Sequence, residues 1–159
     1  MITQATLKDL FNYKDGELYW KKKTCLKVVI GKQLGSKEFT GYKICGINGK
    51  SYRLHRLVFL YHHGYLPKEI DHIDGCKSNN KIENLREATK SQNMRNVKGI
   101  KSSSKCKNVS WSEARKKWIV RIVVNGKLKN IGGFQDLELA DLVAYEARNK
   151  HYGNFANHE

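Results

Sequence analysis

A chain of 159 residues can hold one average domain or two small ones, and its 30 Lys and Arg against 15 Asp and Glu leave a formal charge of +15. A compact protein tolerates such an excess more readily when its partner is polyanionic, so nucleic acid leads and an anionic membrane surface is the weaker rival. No stretch approaches the roughly 20 apolar residues of a membrane span, and Met1 opens a polar, helix-like start instead of a signal peptide, so a cytoplasmic protein without a membrane partner is expected.

Residues 7–11 read as a short amphipathic helix. Asp15-Gly16 then turns the chain into a strand over residues 17–20, beside the basic cluster Lys21, Lys22 and Lys23. Segments 42–47 and 51–54 flank Asn48-Gly49, the dipeptide that supplies positive φ at both centres of a two-residue hairpin turn. From His55 the period changes. Leu57, Val58, Leu60 and Tyr61 form an apolar stripe closed by Gly64 and Pro67, which predicts a helix of about ten residues. The cysteines, Cys25, Cys45, Cys76 and Cys106, include no C-x-x-C pair, so a zinc knuckle is not expected and free thiols are.

Residues 69–93 carry an acid, a His and several Asn in a turn-rich stretch whose apolar positions, 70, 73, 82 and 85, look too few for a core element. Thr89 followed by Gln92 is a capping box, which starts a helix at about Lys90 and puts Asn93 on its first full turn. The order is strand, loop, strand, helix. Phosphodiester hydrolysis needs a base to deprotonate water and a cation to neutralise phosphate charge. His72, titrating near neutrality, suits the base, while Asp71 and the Asn93 amide oxygen are hard donors suited to one Mg²⁺ or Mn²⁺. An Asp-His pair alone is more often an exposed turn or a structural His, so the wider pattern has to decide.

That pattern, D-H-I-D-G-x-x-x-N-N-x-I-E-N-L-R-x-A-T-x-x-Q-N, resembles the HNH endonuclease family, especially its phage and intron-associated homing-type members with Asn in place of the last motif His. The resemblance implies a ββα-metal core and a metal-dependent DNA endonuclease without a small-molecule cofactor. Asp71 and Asn93 would bind the metal, His72 would activate water, and Asn84 would brace the loop so that His72 points inward. Residues 52–58 resemble the helix before this motif, which extends the similarity through most of residues 1–96 and makes His55 structural or phosphate-contacting. Arg56 and Arg86 become candidates for DNA contact. One base and one metal make one catalytic centre, so a monomer that nicks one strand is the default expectation.

Residues 97–105 combine Ser, Gly and Lys without periodicity, the composition of a solvated linker between a nuclease domain, 1–96, and a second domain, 106–159. Beyond it come strands at 108–111, 117–124 and 127–131, the last two joined by Asn125-Gly126. Asp136 caps a helix running to about Tyr152, with Ala140, Val143, Ala144 and Ala147 on one face and Gly153 just past its end. Alternation puts Trp118, Val120, Ile122 and Val124 on the helix side of the sheet. Lys117, Ile119, Arg121 and Val123 take the other side, where Lys127 and Lys129 are expected to extend a basic strip fit for a major groove.

The run Asn108-Val109-Ser110-Trp111, then Lys117-Trp118, Gly132-Gly133-Phe134 and His151-Tyr152-Gly153, resembles the ethylene-response-factor (Apetala-type) DNA-binding domain over about residues 106–156. By that resemblance the sheet enters the major groove of double-stranded DNA, with Lys107, Ser110, Arg115, Lys117, Arg121, Lys127 and Lys129 as contacts. The fold class is then α+β: a ββα-metal nuclease core with an N-terminal β-hairpin and helix, followed by a small three-stranded antiparallel sheet on one helix. The expected function is site-selective cleavage of DNA, by nicking or homing, for a phage or mobile element. The alternative is a non-catalytic, sequence-specific DNA-binding regulator on a degenerate nuclease fold, against which the intact set Asp71, His72, Asn84 and Asn93 argues. No aromatic RNA-binding signature supports an RNA module.

Overall fold

A computed structural model describes residues 2–97 and 104–158; of the expected linker, residues 98–103 lie outside the described residues. The chain divides into two compact units, residues 1–89 and 90–159.

The first unit opens with α1 (Gln4–Leu10), which starts earlier than its apolar stripe because the Thr3 hydroxyl caps it, accepting from the Thr6 amide at 3.2 Å. The strands β1 (Phe11–Lys14) and β2 (Glu17–Trp20) pair antiparallel across Asp15-Gly16, both at positive φ. Next come β3 (Ser36–Lys37), β4 (Lys43–Ile47) and β5 (Lys50–Arg53), an antiparallel sheet in that order. Asn48 and Gly49, at φ 50° and 73°, make the tight turn between β4 and β5 that their identities predict. The helix α2 (Leu54–His63) ends on Gly64, whose N–H donates to the Leu60 carbonyl from a left-handed φ of 79°. Finally β6 (Glu69–His72) and β7 (Leu85–Ala88) form a two-stranded antiparallel ribbon, and a 3₁₀ turn at Ile82–Asn84 leads into β7.

The core of this unit gathers Leu7, Phe11, Leu18, Leu34, Ile47, Leu54, Leu57, Val58, Ile70 and Leu85. Each such side chain contributes roughly 1.5–3 kcal/mol by leaving water. The expectation that positions 70, 73, 82 and 85 are too few for a core element is corrected here. Ile70 and Leu85 are buried with α2 and Ile82 packs against them, whereas Ile73 is exposed. A two-stranded ribbon needs only one inward residue per strand when a helix supplies the rest of the apolar surface.

The second unit contains α3 (Lys90–Arg95), the antiparallel strands β8 (Val109–Ser112), β9 (Lys117–Val124) and β10 (Lys127–Phe134) in the order β10-β9-β8, and α4 (Leu137–Tyr152). Asp136 caps α4 by accepting from the Leu139 amide at 2.7 Å. The small residues Ala140, Ala144 and Ala147 let α4 lie close to β9, where Val120 and Ile122 are fully buried. The strand β10 runs past its expected end to Phe134, with a bulge between Asn130 and Gly132. All four cysteines are free thiols, and among the described residues no helix is long and apolar enough to cross a membrane.

Candidate active site

The last two residues of β6 carry the central acid and imidazole. Asp71 and His72 are 3% and 5% exposed, so both act in a largely dehydrated setting. Strand geometry points their side chains to opposite faces. Asp71 stands opposite Arg86 in the β6–β7 register, and both Nε and a terminal nitrogen of Arg86 donate to Asp71 Oδ2, at 2.8 and 2.6 Å. His72 Nε2 lies 3.1 Å from Oδ1 of Asn80, itself 2% exposed. The His72 ring meets His55 edge-on at 5.1 Å, and the Tyr42 ring lies 5.2 Å from His55.

Burial lowers the His72 pKa below the ordinary histidine value; the Asn80 hydrogen bond and the charges of Asp74 and Asp71 oppose the shift, and Lys77 adds to it. Burial and the neighbouring His72, Arg53 and Arg56 push His55 down to about 3. Both imidazoles are therefore neutral near pH 7, and a neutral imidazole keeps the lone pair that a base requires.

Asn84 closes the loop between the two strands. Its Oδ1 accepts from the Asp74 amide at 3.0 Å, and its Nδ2 donates to Asp74 Oδ1 at 2.9 Å and to the Asn79 carbonyl at 2.8 Å. Main-chain bonds from Ile73 N to the Asn84 carbonyl and from Gly75 N to the His72 carbonyl continue the brace. Arg56 ties the start of α2 to the segment entering β6, donating to the Pro67 and Lys68 carbonyls at 3.2 and 3.4 Å.

Asn93 sits half-buried on α3, in the second unit. The end of that helix is secured from within its own unit. Asn157 Nδ2 donates to the Asn96 carbonyl at 2.9 Å, Arg95 stacks over the Tyr152 ring at 5.1 Å, and Lys107 Nζ donates to the Val97 carbonyl at 2.5 Å. A cation at a helix C-terminus also complements the helix dipole. Lys107, expected at DNA, thus spends its ammonium on main-chain carbonyls, while its own carbonyl accepts from Arg148 at 2.6 Å.

Ser110, Arg115, Lys117 and Arg121 are all exposed, and the register puts Ser110, Lys117 and Arg121 on one face of the sheet. The expected extension of this strip by Lys127 and Lys129 is overturned. Lys127 pairs with Val124 and Lys129 with Ile122, and directly paired residues share a face, so both lysines project on the α4 side. Lys129 lines a groove there with Val143, Ala147 and His151. Leu128 and Asn130 take the positions beside Val123 and Arg121 instead.

Among the described residues no three His, Cys, Asp or Glu side chains cluster as a metal site. Asp71 and Asn93 stand in separate units, and each offers only oxygen to a cation, the donor chemistry that suits a hard divalent ion such as Mg²⁺. Sequence reasoning missed Asn80, and it missed Tyr42, whose ring carries Arg53 at 4.6 Å and Lys77 at 5.0 Å. Asn80 was visible as the second Asn of the motif's N-N pair. Nothing in the sequence joins Tyr42 to His72.

Residues 52–95, from β5 to α3, match the HNH endonuclease family. The chain is also 38% identical over 112 residues to Protein 3.8 of Escherichia phage T7, a match that spans 67% of this chain and 90% of that protein. No solved structure matches the chain.

Proposed function

The chain belongs to the family of Protein 3.8 of Escherichia phage T7 and carries an HNH endonuclease domain over residues 52–95, and from that premise we propose that it is a metal-dependent endonuclease making site-selective, single-strand cuts in double-stranded DNA, in the manner of a homing-type enzyme. The observation that carries the reading is a dehydrated, neutral His72 at the end of β6, next to a buried Asp71 and under a loop that Asn84 holds closed.

In this reading His72 accepts the proton of the water that attacks phosphorus, so that hydroxide character develops only as the new P–O bond forms. A Mg²⁺ or Mn²⁺ ion on Asp71 and the Asn93 amide oxygen would supply charge neutralisation at the scissile phosphate and the leaving 3′ oxygen. Asn84 keeps the loop from relaxing and letting water rehydrate His72. Arg86 pairs with Asp71, and together with Arg56 it would place positive charge where the phosphate backbone approaches.

Residues 106–159 serve as the DNA reader in this proposal, an ethylene-response-factor-like module that lays the sheet face bearing Ser110, Lys117 and Arg121, with Arg115 at its edge, into the major groove. The observed three strands and single helix support that assignment.

Supercoiled plasmid incubated with Mg²⁺, with Mn²⁺ and with a chelator tests the chemistry. Open circles are expected with either ion and none with the chelator. His72→Ala should abolish nicking while gel-shift affinity stays near wild type, and wild-type nicking by that variant would remove His72 from the mechanism.

A further inference from the structure

We infer that Asn80 is a positioning residue that holds the His72 proton on Nε2 and so presents Nδ1 as the basic nitrogen, and that the Asp15-Gly16 turn of the N-terminal hairpin keeps Asn80 in place. The inference rests on the reading of His72 as the base and adds which of its atoms works, and what selects it.

The contact runs between Asn80 Oδ1 and Nε2, at 3.1 Å; an amide oxygen only accepts hydrogen bonds, so in this seating of Asn80 the hydrogen sits on Nε2. A neutral imidazole has a single N–H, and the lone pair is then on Nδ1. The Asn80 side chain is 2% exposed, and its Nδ2 has no hydrogen-bond partner among the described residues. An apolar side chain would fill that space without leaving a buried donor unmet. The amide oxygen is what an apolar residue could not supply.

The placement of Asn80 comes from far away in sequence. Gly16 stands at φ +85°, and a Cβ there would lie 2.7 Å from the Lys81 nitrogen and 2.8 Å from the Asn80 carbonyl carbon. The hairpin turn therefore abuts the Asn80–Lys81 peptide main chain to main chain, which only glycine permits. From β1 of the same hairpin the Tyr13 hydroxyl accepts from the Ile82 amide at 3.1 Å. A hairpin outside the matched residues 52–95 thus buttresses the loop that orients the base.

Nitrogen-15 NMR of the full-length protein, at a pH where His72 is neutral, reads the tautomer directly. Wild type should show Nε2 protonated and Nδ1 bare. Asn80→Ala should give mixed tautomers and lower kcat by about 10- to 100-fold, the range for loss of an outer partner that orients a functional histidine, with KM and DNA affinity unchanged. Asn80→Asp, which keeps an acceptor oxygen, should keep the tautomer, and Gly16→Ala should mix it without altering any group near the phosphate. A wild-type enzyme that nicks DNA with His72 protonated on Nδ1 would overturn this inference alone. A wild type protonated on Nε2 that cuts no DNA would support the assignment of Asn80 and sink the nuclease reading.

Discussion

Arg86 faces Asp71 across the β6–β7 ladder and commits two of its nitrogens to one carboxylate oxygen, at 2.8 and 2.6 Å. With the Asp71 side chain only 4% exposed, removing the guanidinium leaves a dehydrated carboxylate without its counter-charge. Arg86→Met should cost about 3–5 kcal/mol of stability in urea titrations, and Asp71→Asn in the same chain should recover much of it. Mg²⁺ should then raise the Tm of Arg86→Met more than that of wild type, because the cation takes the place the guanidinium left. Equal shifts in both proteins would show that Asp71 does not hold the ion.

His55 gives the first unit an acid-sensitive core. Its folded pKa, about 3, lies below the ordinary 6.5, so between those values the unfolded chain binds a proton that the folded chain refuses. Stability is complete above pH 6.5 and is lost as pH falls towards 3, with a slope of at most about 1.4 kcal/mol per pH unit for one proton. His72, shifted the same way by burial, steepens the upper part of that window. His55→Phe should flatten the acid limb of the urea midpoint measured from pH 8 to 4. An unchanged limb would place the sensitivity elsewhere.

The two faces of the second-unit sheet should behave differently towards DNA. Lys117→Ala and Arg121→Ala should each reduce the slope of log affinity against log salt by about 0.9 for every phosphate that the variant leaves unneutralised. Lys127→Ala and Lys129→Ala, on the α4 side, should leave that slope near wild type. Equal losses from both pairs would mean that the sheet does not meet DNA through the face of Lys117.

Asn84→Ala deletes three side-chain hydrogen bonds of 2.8 to 3.0 Å at the mouth of the loop. At about 1 kcal/mol net for each, unfolding should become easier by about 2–3 kcal/mol, and nicking should be lost with little change in gel-shift affinity. A variant as stable and as active as wild type would show that the loop closes without this side chain.

The elements legible in the sequence were those written in local chemistry. Asn48-Gly49 and Asn125-Gly126 adopt the positive φ of hairpin turns, Gly64 ends α2, and Asp136 caps α4. The face of Lys127 and Lys129 is legible too, against the expectation drawn from it. In a two-residue hairpin the residues flanking the turn pair directly, so Lys127 must share the side of Val124. The Asp71–Arg86 pair required the register of β6 on β7, and the pairing of Tyr42 with His55 required the approach of two elements separated in sequence. Neither register nor approach is encoded at a single position. The short run of apolar residues in 69–93 misled because burial there depends on α2, which the segment itself does not contain.

The helix that bears Asn93 is clasped by Lys107, Tyr152 and Asn157, all from the second unit. For anyone recombining nuclease heads with new DNA readers, this moves the useful splice point. A chimera joined within 97–105, where composition alone would cut, hands the incoming reader a helix it has no residues to hold, and the side chain proposed to meet the metal would go slack. Joined after Thr89, the helix travels with its own clasps, and the proposed metal ligand stays with the proposed reader.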